Sequence, residues 1–195
     1  MRTLNLSASA LLVIDLQRYF FEPESPAFLA GAANVLPYAR ALIGAFRAEG
    51  RPVVFTRHEH RREDAGDQMR RWWGDKLPWK GDPLSELIGA ILPERDETVI
   101  AKDRYSAFEG TSLDTLLRRQ GIDTVVLCGV MTNLCVETTA RDAFLKDFQP
   151  VIAENACAGR TPEHHQASIL NLSYGFAPIE STASIIAALT KQERA

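Results

Sequence analysis

Cysteine is scarce: three in 195 residues, Cys128, Cys135 and Cys157. An odd, sparse count excludes a disulfide framework, and no Cys-x-x-Cys pair is present for thiol exchange. The expectation is a reducing, cytoplasmic setting. Long apolar runs are also missing. The longest, such as the ALLVI ending at Ile14, fall far short of the roughly 20 residues a membrane span needs, so no membrane partner is expected. The leucines near the N-terminus run straight into Asp15, Gln17 and Arg18, which reads as a buried strand and not as a leader. Positive charge is not in excess. With 22 basic and 25 acidic residues the net charge is −3, and no nucleic-acid partner is expected. No G-x-G-x-x-G follows the first strand and no P-loop lysine motif occurs, so no nucleotide cofactor is expected either.

What is present is ordinary globular composition, 46% hydrophobic and 24% charged. A chain of this length is expected to fold as a single domain, residues 1–195, without a metal or disulfide staple. Apolar strand-length runs alternate with helical periodicity. Strands are predicted at 10–15, 51–57, 97–102, 123–130 and 150–154, with a short sixth near 177–181. Helices are predicted over 30–49, from Thr111 or Ser112 to Gly121, over about 133–147, from Thr161-Pro162 onward, and from about 182. That alternation predicts an α/β, three-layer, doubly wound fold: a parallel sheet with helices on both faces.

In such sheets ligands bind beyond the carboxyl ends of the strands. Asp15, Arg57, Lys102 and the residues after Val130 all fall there. Cys135 follows the fourth strand by a short turn and is expected in the first turn of the next helix, where unpaired N–H groups favour a thiolate. Asp15 ends the first strand and could take the thiol proton; Lys102 ends the third and could pair with Asp15. Each residue alone has an ordinary structural explanation, which accounts less well for the three together. Cys128 reads as core and Cys157 as a structural residue after the fifth strand. The stretch 58–83 is the one long irregular insertion, holds all three tryptophans and reads as a lid or binding loop.

Three blocks, IDLQRYF (14–20), KDRYSAFEGTSLDTLL (102–117) and GVMTNLCVETTARDAF (129–144), resemble the motifs of the isochorismatase-like cysteine hydrolase superfamily. The resemblance runs from about residue 10 to 190 and implies a six-stranded parallel sheet. It implies catalytic Asp15, Lys102 and Cys135. It also implies a cis peptide between Val130 and Met131, with the Met131 and Cys135 N–H groups forming an oxyanion hole. Isochorismatases of the superfamily tend to lack the cysteine; its retention points to hydrolysis of a small linear amide or ureido substrate through a thioester. Vinyl-ether hydrolysis of the isochorismatase type and a catalytically silent small-molecule binder are the alternatives. Family members are commonly dimers or tetramers, so a homodimer or homotetramer is expected.

Substrate contacts are expected from Gln17, Phe20, Trp72, Arg104, Tyr105 and Phe108, which lie in or near the blocks. Trp79 and Tyr19 read as packing residues and Arg70-Arg71 as a solvated face. His58 and His60, at i and i+2 on an extended segment, point the same way. Nicotinamidases of the superfamily carry an Asp-x-His metal pair at this place with further histidines downstream. Here His58 stands first, and His164 and His165 lie elsewhere, so no metal or other cofactor is expected. Substrate contact or loop hydrogen bonding is the expected role of the pair.

Overall fold

A computed structural model describes residues 4–63 and 68–191. Arg2, and positions 64–67 of the 58–83 insertion, lie outside the described residues. Six strands form one all-parallel sheet: β1 (Ser9–Ile14), β2 (Val53–His58), β3 (Thr98–Lys102), β4 (Thr124–Val130), β5 (Gln149–Ala158) and β6 (Ile179–Glu180). The order is β3-β2-β1-β4-β5-β6. β1 and β4, SALLVI and TVVLCGV, are buried at every residue, as strands covered on both faces must be. β3 lies at the edge and shows it by exposing Val99.

Among the described residues there are seven α-helices: α1 (Arg18–Phe21), α2 (Ala32–Ala48), α3 (Gln68–Trp73), α4 (Leu113–Arg119), α5 (Glu137–Leu145), α6 (Pro162–Gly175) and α7 (Thr182–Lys191). The apolar stripe Val35, Ala39, Leu42 and Phe46 of α2 joins Ile185 and Leu189 of α7 on one face of the sheet. On the other, Leu113 and Leu117 of α4 pack with Ala140 of α5 and Leu172 of α6. The spacing of these residues is the helical period that keeps one face apolar. α6 opens as its sequence predicts: the Thr161 hydroxyl accepts the His164 N–H at 3.3 Å, with Pro162 in the first turn.

The layers and the strand count agree with the sequence pattern, and three features differ from it. The short α1 follows β1 directly. β5 runs on to Ala158, so Cys157 is a strand residue and not part of a loop. A bulge between Leu127 and Gly129 lets this long strand stay paired with β4. The segment after β4 begins with a π-helical turn, Thr132–Val136, before α5 starts at Glu137.

The order reverses direction between β1 and β4, which opens a crevice at their carboxyl ends. A small cluster of Met69, Leu77 and Trp79, with Trp73 and Tyr105 against it, lies within or against the 58–83 insertion. No helix among the described residues is long and apolar enough to cross a membrane.

Candidate active site

Asp15 leaves β1 with φ +48°, a conformation that costs an L-residue energy and needs support. Thr56 of β2 supplies it. Its hydroxyl accepts the Asp15 N–H at 3.1 Å and donates to Asp15 Oδ1 at 2.5 Å. Beside Asp15, Gly129 of β4 has φ +121°, and a Cβ there would lie 2.0 Å from the Ile14 carbonyl oxygen. Only glycine lets β4 approach the end of β1 this closely. The Val130–Met131 peptide, which ends β4, is cis.

Lys102 ends β3, opposite His58 in the β2–β3 register. Its ammonium reaches across the end of β2 to Asp15 Oδ2 at 2.7 Å, and neither side chain is exposed. It also donates to the Arg104 carbonyl oxygen at 3.0 Å and to Cys135 Sγ at 3.4 Å. Burial alone would lower the Lys102 pKa, but the Asp15 charge outweighs it and holds the amine above its ordinary value.

Cys135 sits in the π-turn that precedes α5, where the sequence pattern places it in the first turn of that helix. Burial pushes its thiol up, and the pull of Lys102 does not reverse this. Burial therefore favours the protonated sulfur, and the Lys102 ammonium opposes it. Cys128 and Cys157 are buried too, and burial pushes Cys157 up to about 12.

His58 ends β2 with Nδ1 3.4 Å from Lys102 Nζ and 3.9 Å from Cys135 Sγ. Its Nε2 lies 2.8 Å from Nε2 of His60. Burial, then the Lys102 charge, holds its pKa well below the ordinary range. Asp15, His58 and Cys135 bring potential ligand atoms within 4.8 Å of one another. They do not fit a metal ion, because the Lys102 ammonium already stands against all three. A second cation would meet its field at close range in a buried site.

The sulfur opens on a narrow chamber of about 60 Å3, walled by Phe20, Trp73, Leu77, Tyr105 and Leu134. This continues into an outer vestibule of about 680 Å3 that Trp72, Lys76, Asn133, Arg160 and His164 help to line. The Trp73 indole donates to the Tyr105 hydroxyl at 2.8 Å, tying the 58–83 insertion to the segment after β3.

Of the residues singled out from sequence, Asp15, Lys102, Cys135, Met131, Phe20 and Tyr105 come together here. Trp72 stands at the vestibule, 73% exposed. Gln17 is buried behind the site. It donates to the carbonyl oxygens of His58 and Ser85 and accepts the His58 N–H at 2.8 Å. Arg104 lends Lys102 its carbonyl, while its guanidinium lies 3.2 Å from Asp103. Phe108 packs in the core against Phe148, and Arg57 pairs with Glu59 and Glu86. Tyr19, read as packing, is buried but borders both cavities. Thr56, Gly129 and Arg160 were not anticipated. A lone hydroxyl in VVFTRH was the available signal for Thr56.

The isochorismatase domain matches residues 9–184. The chain belongs to the isochorismatase family. It is 35% identical over 175 residues to nicotinamidase 3 of Arabidopsis thaliana, covering 89% of this chain and 84% of the relative. To N-carbamoylsarcosine amidase of an Arthrobacter species it is 32% identical over 183 residues, covering 91% and 69%. Among solved structures, a cysteine hydrolase from Pseudomonas syringae pv. phaseolicola 1448A superposes with a TM-score of 0.92 at 28% identity, covering 98% and 96%. The chain is thus a hydrolase of this family, with Asp15, Lys102 and Cys135 buried near His58 in an arrangement that fits a cysteine-based catalytic site.

Proposed function

We propose that the enzyme hydrolyses a small linear amide or ureido substrate through a thioester on Cys135, with Asp15 and Lys102 completing the catalytic triad. The observation that supports this most is the mutual contact of carboxylate, ammonium and sulfur at the end of a narrow chamber. The names of the relatives, an amidase and a nicotinamidase, support the same bond type.

Burial favours the protonated sulfur, and its proton leaves for Asp15 as the sulfur attacks the carbonyl carbon. The Lys102 ammonium offsets the negative charge left on the sulfur side of the site. The Met131 and Cys135 N–H groups receive the oxyanion, a contribution of roughly 3–4 kcal/mol per donor. Asp15 then passes the proton to the nitrogen of the departing amine or ammonia, and the C–N bond breaks. Water attacks the thioester, giving one proton to Asp15; the C–S bond breaks, and that proton returns to the sulfur.

Phe20, Trp72 and Tyr105 act as substrate-facing walls. Gln17 holds the His58 backbone, Arg104 holds Lys102 through its carbonyl, and Phe108 packs in the core against Phe148. The chamber's small volume limits the acyl part of the substrate to a few heavy atoms.

Amine or ammonia release from a panel of small amides and ureido acids tests the reaction, with pyruvate release from isochorismate as the contrary outcome. Cys135→Ala removes turnover and leaves the fold intact; near-normal activity of that variant would reject the proposal.

A further inference from the structure

His58 and His60 are buried, and the reaction above gives them no step. Their geometry is nonetheless restrictive. An ammonium carries three N–H donors and no acceptor. The His58 nitrogen facing Lys102, Nδ1 at 3.4 Å, accepts an N–H from it only where it presents its lone pair; Cys135 Sγ lies 3.9 Å from the same nitrogen. The ring, neutral in this setting, then carries its proton on Nε2 and donates it to His60 Nε2 at 2.8 Å. His60 in turn carries its own proton on Nδ1. This pair of tautomers lets His58 accept from Lys102 and donate to His60 at once.

Lys102 consequently faces four acceptors with three protons. They are Asp15 Oδ2 at 2.7 Å, the Arg104 carbonyl at 3.0 Å, and Cys135 Sγ and His58 Nδ1, each at 3.4 Å. Sulfur is a changeable acceptor: strong as a thiolate, weak as a thiol or thioester. A buried N–H deprived of its acceptor is costly. We propose that His58 is a positioning residue whose Nδ1 accepts the third Lys102 N–H while Cys135 is acylated and yields it to the sulfur when the sulfur is a thiolate. His60 locks the ring in the tautomer that makes this exchange possible. No covalent bond forms at His58, and its own proton stays on Nε2. The proposal rests on the roles given above to Lys102 and Cys135.

Two measurements test it. Nitrogen-resolved NMR of the histidine rings in the unmodified protein should show His58 protonated on Nε2 alone, with coupling across the hydrogen bond to His60. A proton on Nδ1, or a cationic His58, would overturn the proposal whether or not any amide is turned over.

The second is single-turnover kinetics on two variants. In His58→Asn the amide oxygen can stand in for Nδ1; in His58→Phe the volume is kept and the acceptor lost. Deacylation should slow about tenfold more than acylation in His58→Phe and recover to within about threefold of the wild-type rate in His58→Asn. Equal losses in the two variants, or an unaffected His58→Phe, would overturn the proposal. Absence of turnover by the wild type, with His58 protonated on Nε2, would instead sink the amidase reading and with it the exchange at Lys102.

Discussion

The Lys102 ammonium lies 2.7 Å from Asp15 Oδ2, and both side chains are wholly buried. Each charge is tolerable there only because of the other. Lys102→Met should therefore destabilise the fold by about 3–5 kcal/mol as well as abolish turnover, since it leaves a buried carboxylate unpaired. Adding Asp15→Asn should restore about 2 kcal/mol or more, because the orphaned charge is gone. Urea denaturation of the wild type, the single variant and the double variant measures both. A double variant no more stable than Lys102→Met would contradict the prediction.

The reactivity of Cys135 follows from its burial. Burial pushes the thiol above its ordinary value of 9.0 in spite of the adjacent ammonium. Iodoacetamide labelling of Cys135, followed by peptide mass spectrometry, should be slow at neutral pH and still be rising past about pH 9. A plateau reached below about pH 8 would mean that Lys102 outweighs desolvation.

Stability should fall in acid for a definable reason. The His58 pKa is depressed, by burial first and the Lys102 charge second, from an ordinary value of 6.5. Below pH 6.5 the unfolded chain binds a proton that the folded chain refuses, so the contribution is present above that pH and is lost as pH falls through the window beneath it. Half-buried His165 acts in the same direction. Denaturation of wild type and His58→Asn from neutrality to about pH 5 should give a shallower acid slope for the variant, by up to about 1.4 kcal/mol per pH unit. Parallel curves would contradict the prediction.

Gly129 sets how closely β4 can approach Asp15. A methyl group there would meet the Ile14 carbonyl oxygen at 2.0 Å, on a backbone with φ +121°. Gly129→Ala should cost about 2 kcal/mol or more and depress activity by displacing the end of β1. Gly44, inside α2, has open space where a methyl group would stand, with no atom within 4 Å, so Gly44→Ala should instead stabilise by about 0.5–1 kcal/mol. Thermal melts of the two variants provide the comparison.

Much of the fold was legible in the residues. ALLVI and DTVVLCGV read as buried strands from their length, and the stripe from Val35 to Phe46 reads as an amphipathic helix from its spacing. The abrupt change from apolar run to charged residue marked Asp15 and Lys102 as strand ends. Less was legible where local propensity is weak or misleading. The Asn133–Asp147 periodicity suggests one continuous helix, whereas the chain spends Thr132–Val136 in a wider turn. Gln17 resembles a substrate contact because it neighbours Asp15. Its amide is instead consumed by the backbone of His58 and Ser85, partners 41 and 68 residues away.

Burial periodicity is a property of consecutive residues, so the amino-acid order alone determined the layers, the strands and which ends carry chemistry. Contacts between those ends depend on which strands become neighbours and in what register. The order β3-β2-β1-β4 places Lys102 two strands from Asp15, and the register sets His58 opposite Lys102. Only then does the cation span β2 to reach the carboxylate. Desolvation is equally a product of packing: Cys135 could be recognised as a candidate nucleophile, but the burial that pushes its thiol up follows from the shell of side chains that closes around it.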